Sequence, residues 1–327
     1  MKLNWGTKIA RLIGKAILST WRLLISTCKL LFETTIAIKA GKPTIFKFLS
    51  IIARNKRDLK QLFHIDNGDS NNGQQVLSLR LGKKHISFAV CDKHGSALYQ
   101  LAYCTVESLN ESELTAFFDT FPVIQSSFYE VKVVYDLPQS VLIPSKDHKQ
   151  ENAGLLLSTI SGNSGNTNAV SELIAEWQLY NIYSVPAEVH EWASKKFPAA
   201  KYWHQYSIGI KNIKAADIGG SLTVDFRNDE FTVMAVKEGK LLLAQTFDYS
   251  TPEDVLYYLL KTCQQFSLSQ QTVRLQLSGL VDKQSSLYKE LYQYFIHIEF
   301  REPGWNVRSD YPVHFFTSLN DLARCVS

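Results

Sequence analysis

The side chains that can do chemistry are scattered along this 327-residue chain. Its eight histidines, His64, His85, His94, His148, His190, His204, His297 and His314, fall into no HExxH or other metal-ligand spacing. Neither a GxSxG elbow nor a GxxxxGK[ST] phosphate loop occurs. Zincin chemistry, the serine-hydrolase elbow and the P-loop are thereby excluded. The five cysteines, Cys28, Cys91, Cys104, Cys263 and Cys325, are odd in number and widely spaced, with no CxxC pair. That pattern gives neither a disulfide framework nor a zinc knuckle and suits a reducing interior. Aromatic runs such as Tyr202-Trp203, Tyr257-Tyr258 and Tyr292 to Phe295 read as core filling rather than ligand stacking.

The strongest chemical pattern is electrostatic. The chain is 45% apolar and 20% charged, enough to bury a large core, and its net charge is +4. Residues 1–62 hold 13 Lys or Arg against Glu33 and Asp58, a charge of +11, so the remainder carries −7. On a helix, Lys8, Arg11, Lys15, Arg22 and Lys29 fall on one stripe, and Trp21 with many Leu and Ile residues fills the rest. No charge-free run reaches the ~18 residues of a membrane span, and the charges recur inside the apolar region, unlike a signal peptide. Such a helix suits the interface of an anionic bilayer, with Lys8, Arg11, Lys15, Trp21, Arg22 and Lys29 as contacts and the inner face of the cytoplasmic membrane as the expected place. The competing reading lays the helix over an apolar patch of its own body. Nucleic acid ranks lower, because the arm is too apolar and has few Arg residues. The expected division is an arm at 1–62, a polar linker at 63–75 containing DNGDSNNGQQ, a first lobe at 76–215 and a second at 216–327.

The body repeats itself. Residues 77–91, LSLRLGKKHISFAVC, and 222–236, LTVDFRNDEFTVMAV, align at a constant offset of 145 with their apolar positions in step. Each is strand, tight turn, strand, followed by a third apolar run at Ala97–Cys104 or Leu241–Phe247. A helix opening with acids comes next, from Glu111 in one copy and after Thr251-Pro252 in the other. A fourth strand then follows, Val131–Tyr135 or Val273–Leu277. Helices are expected at Val170–Leu179 and Ala187–Lys195 around a strand at Tyr180–Val185, then helix Ser285–Tyr294, strand Phe295–Phe300 and a closing helix over SLNDLARC. The resulting expectation is two related α/β lobes facing one another across a cleft.

Through the two strand-turn-strand openings, the VYDLP segment at Val134–Pro138, the YSVP segment at Tyr183–Pro186 and the closing LNDLARC, residues 76–327 resemble an uncharacterised bacterial domain-of-unknown-function family with an actin-like ATPase fold. The second half is also similar to actin-like platform proteins of type IV pilus and type II secretion assembly. The resemblance implies a duplicated, ribonuclease-H-like two-lobed α/β fold and a nucleotide cleft. In nucleotide-binding members each lobe opens with a D-x-G turn, Asp acting through a metal and Gly admitting phosphate. Here the first turn reads Arg80-Leu81-Gly82 and the second Asp225-Phe226-Arg227, so each has lost one partner. The adenosine-side Gly-Gly is reduced to Ser278-Gly279-Leu280. The candidate cofactor-binding positions are Arg80, Gly82, Asp225, Arg227, Asp229 and Gly279. Against that reading stand a turn-capping role for Asp225 and solvated strand ends for Arg80 and Arg227. A two-metal nuclease lacks ligands, because the fourth strand of the second copy ends Leu277-Ser278-Gly279 without an acid. The favoured expectation is a non-catalytic binding or assembly module with a protein partner and no cofactor. The alternative is an ATPase or kinase-like enzyme using ATP and Mg in the same cleft.

Overall fold

Alternating and near-continuous apolar runs dictate two buried sheets, and the computed structural model, which describes residues 59–68, 74–162, 165–213, 219–305 and 309–325, places them side by side in the chain. The proposed membrane contacts and nearly all of the basic arm lie outside the described residues. No helix among the described residues is long and apolar enough to cross a membrane.

The first lobe contains β1 (Lys60–Asp66), β2 (Gln75–Gly82), β3 (His85–Asp92), β4 (Leu98–Thr105), α1 (Glu111–Thr120) and β5 (Glu130–Asp136). A smaller sheet follows: β6 (Ser140–Pro144), β7 (Thr167–Ile174) and β8 (Leu179–Pro186), with α2 (Ala153–Ser161) inserted. After α3 (Ala187–Lys196) and β9 (Lys201–His204), helix α4 (Gln205–Lys211) leads to the second lobe. That lobe has β10 (Ser221–Phe226), β11 (Glu230–Lys237), β12 (Lys240–Asp248), α5 (Pro252–Gln265), β13 (Arg274–Gly279), α6 (Ser286–Tyr292) and β14 (His297–Phe300), and α7 (Thr317–Arg324) closes the chain.

The sheet orders establish the duplication. One sheet runs β4-β3-β2-β5-β9 with β1 added at its edge, and the other runs β12-β11-β10-β13-β14. In each, two antiparallel hairpin pairings give way to parallel pairings on the other side of the first strand. Phe88 and Val233 therefore occupy matching central strands of matching sheets.

Within β2, Leu77, Leu79 and Leu81 face one core with Leu114, Phe117, Val189 and Trp192 of α1 and α3. The equivalent Leu222, Val224 and Phe226 of β10 face Val255, Leu259 and Leu291 of α5 and α6. Helix α5 begins as its sequence requires: Thr251 and Asp254 form a reciprocal capping box, and Pro252 sits at the first helical position.

Three expectations change. Residues 60–66, divided by sequence between arm and linker, form β1, which pairs antiparallel with β4 and buries Phe63 and Ile65. The body thus begins before DNGDSNNGQQ. Residues 167–174 are a strand rather than a helix, because β7 pairs with β8 along its whole length through a loop closed by Gln178 at φ 51°. Sheet pairing here overrides an ambiguous apolar periodicity. Finally, α7 does not stay in the second lobe. Its Leu319 and Ala323 join Val76, Ala89 and Cys91 of the first sheet, and Leu322 meets Val134 and Ile208.

Lys132 of β5 fixes that return. Its side chain is 3% exposed, and its Nζ donates to the carbonyls of Ala323 at 2.9 Å and Cys325 at 2.8 Å, where the carbonyl end of α7 favours a cation. Replacing Lys132 by Met is expected to cost about 2 kcal/mol, because two charge-assisted bonds vanish and two carbonyls lose their donor. A lowered denaturant midpoint, with amide exchange in α7 accelerating before that in β2, checks it.

Candidate functional site: an ion cluster between the twin turns

The ends of β2 and β10 meet, as facing D-x-G-type turns should, but guanidinium and carboxylate groups fill the meeting point. Arg80 and Arg227 are 3% and 2% exposed, so neither is a solvated strand end. Arg80 donates from Nη2 to Asp225 Oδ2 at 2.8 Å and from Nε to Asp136 Oδ2 at 2.9 Å, and its Nη1 reaches Ser318 of α7. Arg227 donates from Nε to Asp136 Oδ2 at 2.6 Å and from Nη2 to Asp136 Oδ1 and to Thr232 Oγ1, the latter at 2.8 Å. Ser278 donates to Asp225 Oδ1 at 3.0 Å. Both oxygens of Asp225 are thereby engaged, and Asp136 carries a bidentate guanidinium.

Two more titratable groups complete the shell. His85 Nε2 lies 3.2 Å from Asp136 Oδ2, its ring stacked on Tyr103 at 5.3 Å between centroids. Glu230 Oε1 lies 3.4 Å from Arg227 Nε. Burial opposes ionisation of Asp136, yet the Arg227 and Arg80 guanidinium groups hold its carboxyl well below the usual range. Asp225 is likewise lowered against burial by Arg80 and then Arg227. Burial pushes Glu230 up, opposed by Arg227. Burial lowers His85, opposed by Asp136. Two arginines and two aspartates thus make the centre of the cluster, with Glu230 and His85 at its edge.

His85, Asp136 and Glu230 also bring one ligand atom each to within 4.8 Å of one another, a metal-like grouping. A cation entering there would meet Arg80 and Arg227, whose charges are already matched by the same carboxylates.

The glycines serve packing. A Cβ on Gly82 would fall 1.9 Å from the His85 ring, so the missing side chain makes room for imidazole. Gly279 holds φ +77°, and a Cβ there would lie 2.1 Å from the Phe226 carbonyl oxygen, which also accepts from Leu280 N at 2.9 Å. Asp229 is separated from the cluster: at the rim it pairs with Lys84, while Lys83 approaches Asp248 at 3.5 Å.

Four of the six sequence candidates, Arg80, Gly82, Asp225 and Arg227, are thus brought together. Gly279 is an adjoining backbone support, and Asp229 is peripheral. Sequence reasoning missed Asp136, His85 and Glu230. Asp136 had a readable signal, since it ends the fourth strand of the first copy and parallel pairing sets it beside Gly82.

A family model described as a protein of unknown function (DUF3822) matches residues 66–298. The chain belongs to this family. Comparison with curated proteins gives no match. Among solved structures, the DUF3822 chain resembles a Bacteroides thetaiotaomicron protein with an actin-like ATPase fold and unknown function, at 20% identity and TM-score 0.68 over 79% of this chain and 100% of that one. It also resembles the PilM-PilN type IV pilus biogenesis complex, at 11% identity and TM-score 0.54 over 77% and 98%. The DUF3822 body therefore has the actin-like ATPase fold expected from its sequence.

Next to the cluster, His204 receives Tyr206 N–H on Nδ1 at 3.1 Å and uses Nε2 toward Leu137 O at 2.9 Å, which caps α4 with a neutral imidazole. Burial drives its pKa down to about 4. Glu172 of β7 accepts His204 N–H at 2.9 Å. Burial pushes Glu172 up to about 7, against the pull of that N–H, the Ser207 hydroxyl and Lys211.

Two outcomes follow from these placements. Asp136→Asn should cost about 3–5 kcal/mol in chemical denaturation, because it strands two buried guanidinium groups, whereas Asp229→Asn at the solvated rim should change stability little. The folded Glu172 pKa lies above its ordinary 4.5, so its contribution to stability is full below pH 4.5 and disappears as pH rises through about 7. Glu172→Gln should therefore gain on the unaltered chain as pH increases from 5 to 8, read from denaturation midpoints across that range.

Proposed function

We propose that the DUF3822 body is a binding or assembly module that keeps the actin-like fold without nucleotide hydrolysis, and that its basic arm engages an anionic membrane surface. The observation that carries the reading is Arg227. It replaces the glycine of the second turn, and Asp136 clamps it where a phosphate would need open backbone. The rest of the site agrees. A metal held by Asp225 through water needs a free carboxylate oxygen, but Arg80 and Ser278 occupy both. Gly82 holds imidazole instead of exposing its N–H to an anion. The residues present do not fit Mg-nucleotide at these turns.

A partner role is supported by the PilM-PilN complex, in which this fold occurs in a protein assembly. The arm supplies the membrane part of the reading through its charge of +11 over 62 residues and the apolar residues that a helical spacing would gather beside its Lys and Arg stripe.

Mg-ATP at about 5 mM should leave the thermal midpoint unmoved, since even weak binding at that concentration would raise it. A shift abolished by Asp225→Ala would instead establish the ATPase-like reading. In liposome flotation, the full chain should rise with vesicles containing anionic lipid, while a chain beginning at Asp58 stays behind. Equal flotation would remove the membrane claim.

A further inference from the structure

Beside the ion cluster lies a second feature that the module reading leaves unused, a cavity of about 530 Å³ on the inner face of the second sheet. Its position follows from how the duplicated lobes diverged. Val76, Ser78 and Arg80 of β2 correspond to Ser221, Thr223 and Asp225 of β10 at the offset of 145. In the first lobe this face is filled, since Val76 packs in one apolar cluster with Phe316, Leu319 and Ala323 at α7. In the second lobe Ser221, Thr223 and Asp225 line open space under α4 and α7. A sheet face enclosed by two helices is ordinarily apolar, so three polar residues in succession there need an account.

The lining indicates what could enter. Arg274, Arg301 and Arg324 converge on the cavity from β13, the segment after β14, and α7, beside the carboxylates of Asp225, Glu302 and Asp321, and Arg274 stands 3.9 Å from Glu299. Arg301 is held by Asp321 at 2.8 Å, and Asp225 is already matched to Arg80. The Arg324 side chain is exposed, acts electrostatically on Asp321 and makes no hydrogen bond among the described residues. Gln205, at the start of α4 and 6% exposed, lines the wall, and its Oε1 has no hydrogen-bond partner among the described residues. Thr223 and Gln276 add a neutral polar patch, bonded to each other at 3.3 Å. Among the described residues none in the lining is aromatic, so they offer no platform on which a nucleobase could stack.

We propose that this cavity binds a small polyhydroxylated anion, its phosphate or carboxylate facing the arginines and its hydroxyl groups meeting Gln205, Thr223 and Gln276. Arginine suits either anion through charge-assisted, forked hydrogen bonds. The volume lies within the usual range for small-molecule sites. The site goes beyond the module reading and adjoins the second turn at Asp225.

Thermal shift and calorimetry on the full chain with ribose 5-phosphate and with gluconate, each at about 5 mM, distinguish the phosphate from the carboxylate source. Inorganic phosphate and Mg-ATP run in parallel. At least one sugar anion should give a saturable rise in midpoint, with affinity reduced about tenfold or more in Gln205→Leu and in Arg324→Gln. Arg324 is exposed at a helix end, so its variant serves even where Gln205→Leu does not fold. No response to either sugar anion overturns the proposal, as does a response unchanged in Arg324→Gln or one matched by inorganic phosphate alone. Asp225 also lines the cavity, so a response to Mg-ATP that is abolished by Asp225→Ala yet persists in Arg324→Gln would overturn the module reading, while a sugar-anion response weakened in Arg324→Gln would still support the cavity.

Discussion

Everything between the lobes depends on four buried charges satisfying one another. Taking a guanidinium or a carboxylate out of water costs several kcal/mol, and attraction offsets that only where the remaining donors and acceptors are also satisfied. Asp136 meets the condition for Arg227 with two oxygens, Arg80 divides its donors among Asp136, Asp225 and Ser318, and Ser278 takes the last oxygen of Asp225. These groups come from β5, β10, β2, the turn after β10, β13 and α7, so both lobes and the crossing helix are tied at one point. Parting the two sheets at this point would leave buried charges unpaired, so the cluster opposes their separation.

The duplication explains how such a lock could arise. Arg80 and Asp225 occupy the same position in the two copies, as do Lys84 and Asp229, and in both cases the equivalent residues bond to each other. Two identical facing turns would set like charge against like. Here one copy carries the base and the other the acid, so the residues that meet across the pseudo-symmetry axis attract. The change that removes the D-x-G signature in one copy is the same change that joins the copies.

Much of this was legible in the sequence. The offset of 145 gave matching strands, and TPED announced the capped start of α5 through cap chemistry that acts within four residues. What escaped was non-local. Residues 60–66 look like the end of a basic arm until β4 is present to pair with them. Residues 167–174 carry a pattern that suits helix or strand, and the neighbouring β8 decides. Arg80 and Arg227 were legible as positions but not as buried groups, because an arginine at a strand end is ordinarily solvated. Only the position of Asp136, beside Gly82 in the folded sheet, reverses that expectation.

The cluster also limits what evolution could do with the cleft. Introducing a single member of the D-x-G signature would unbalance the buried charges. Arg227 changed to Gly would leave Asp136 without its bidentate partner while Arg80 still held Asp225, and Arg80 changed to Asp would set a new carboxylate against Asp136 and Asp225. Each step toward a nucleotide site passes through an unbalanced buried charge, a larger penalty than most single substitutions impose. The cavity on the β10 face shares Asp225, Thr232 and Ser318 with the cluster, whereas Gln205, Gln276 and Arg324 make no bond to it among the described residues, so only that outer part of the wall can change without disturbing the lock.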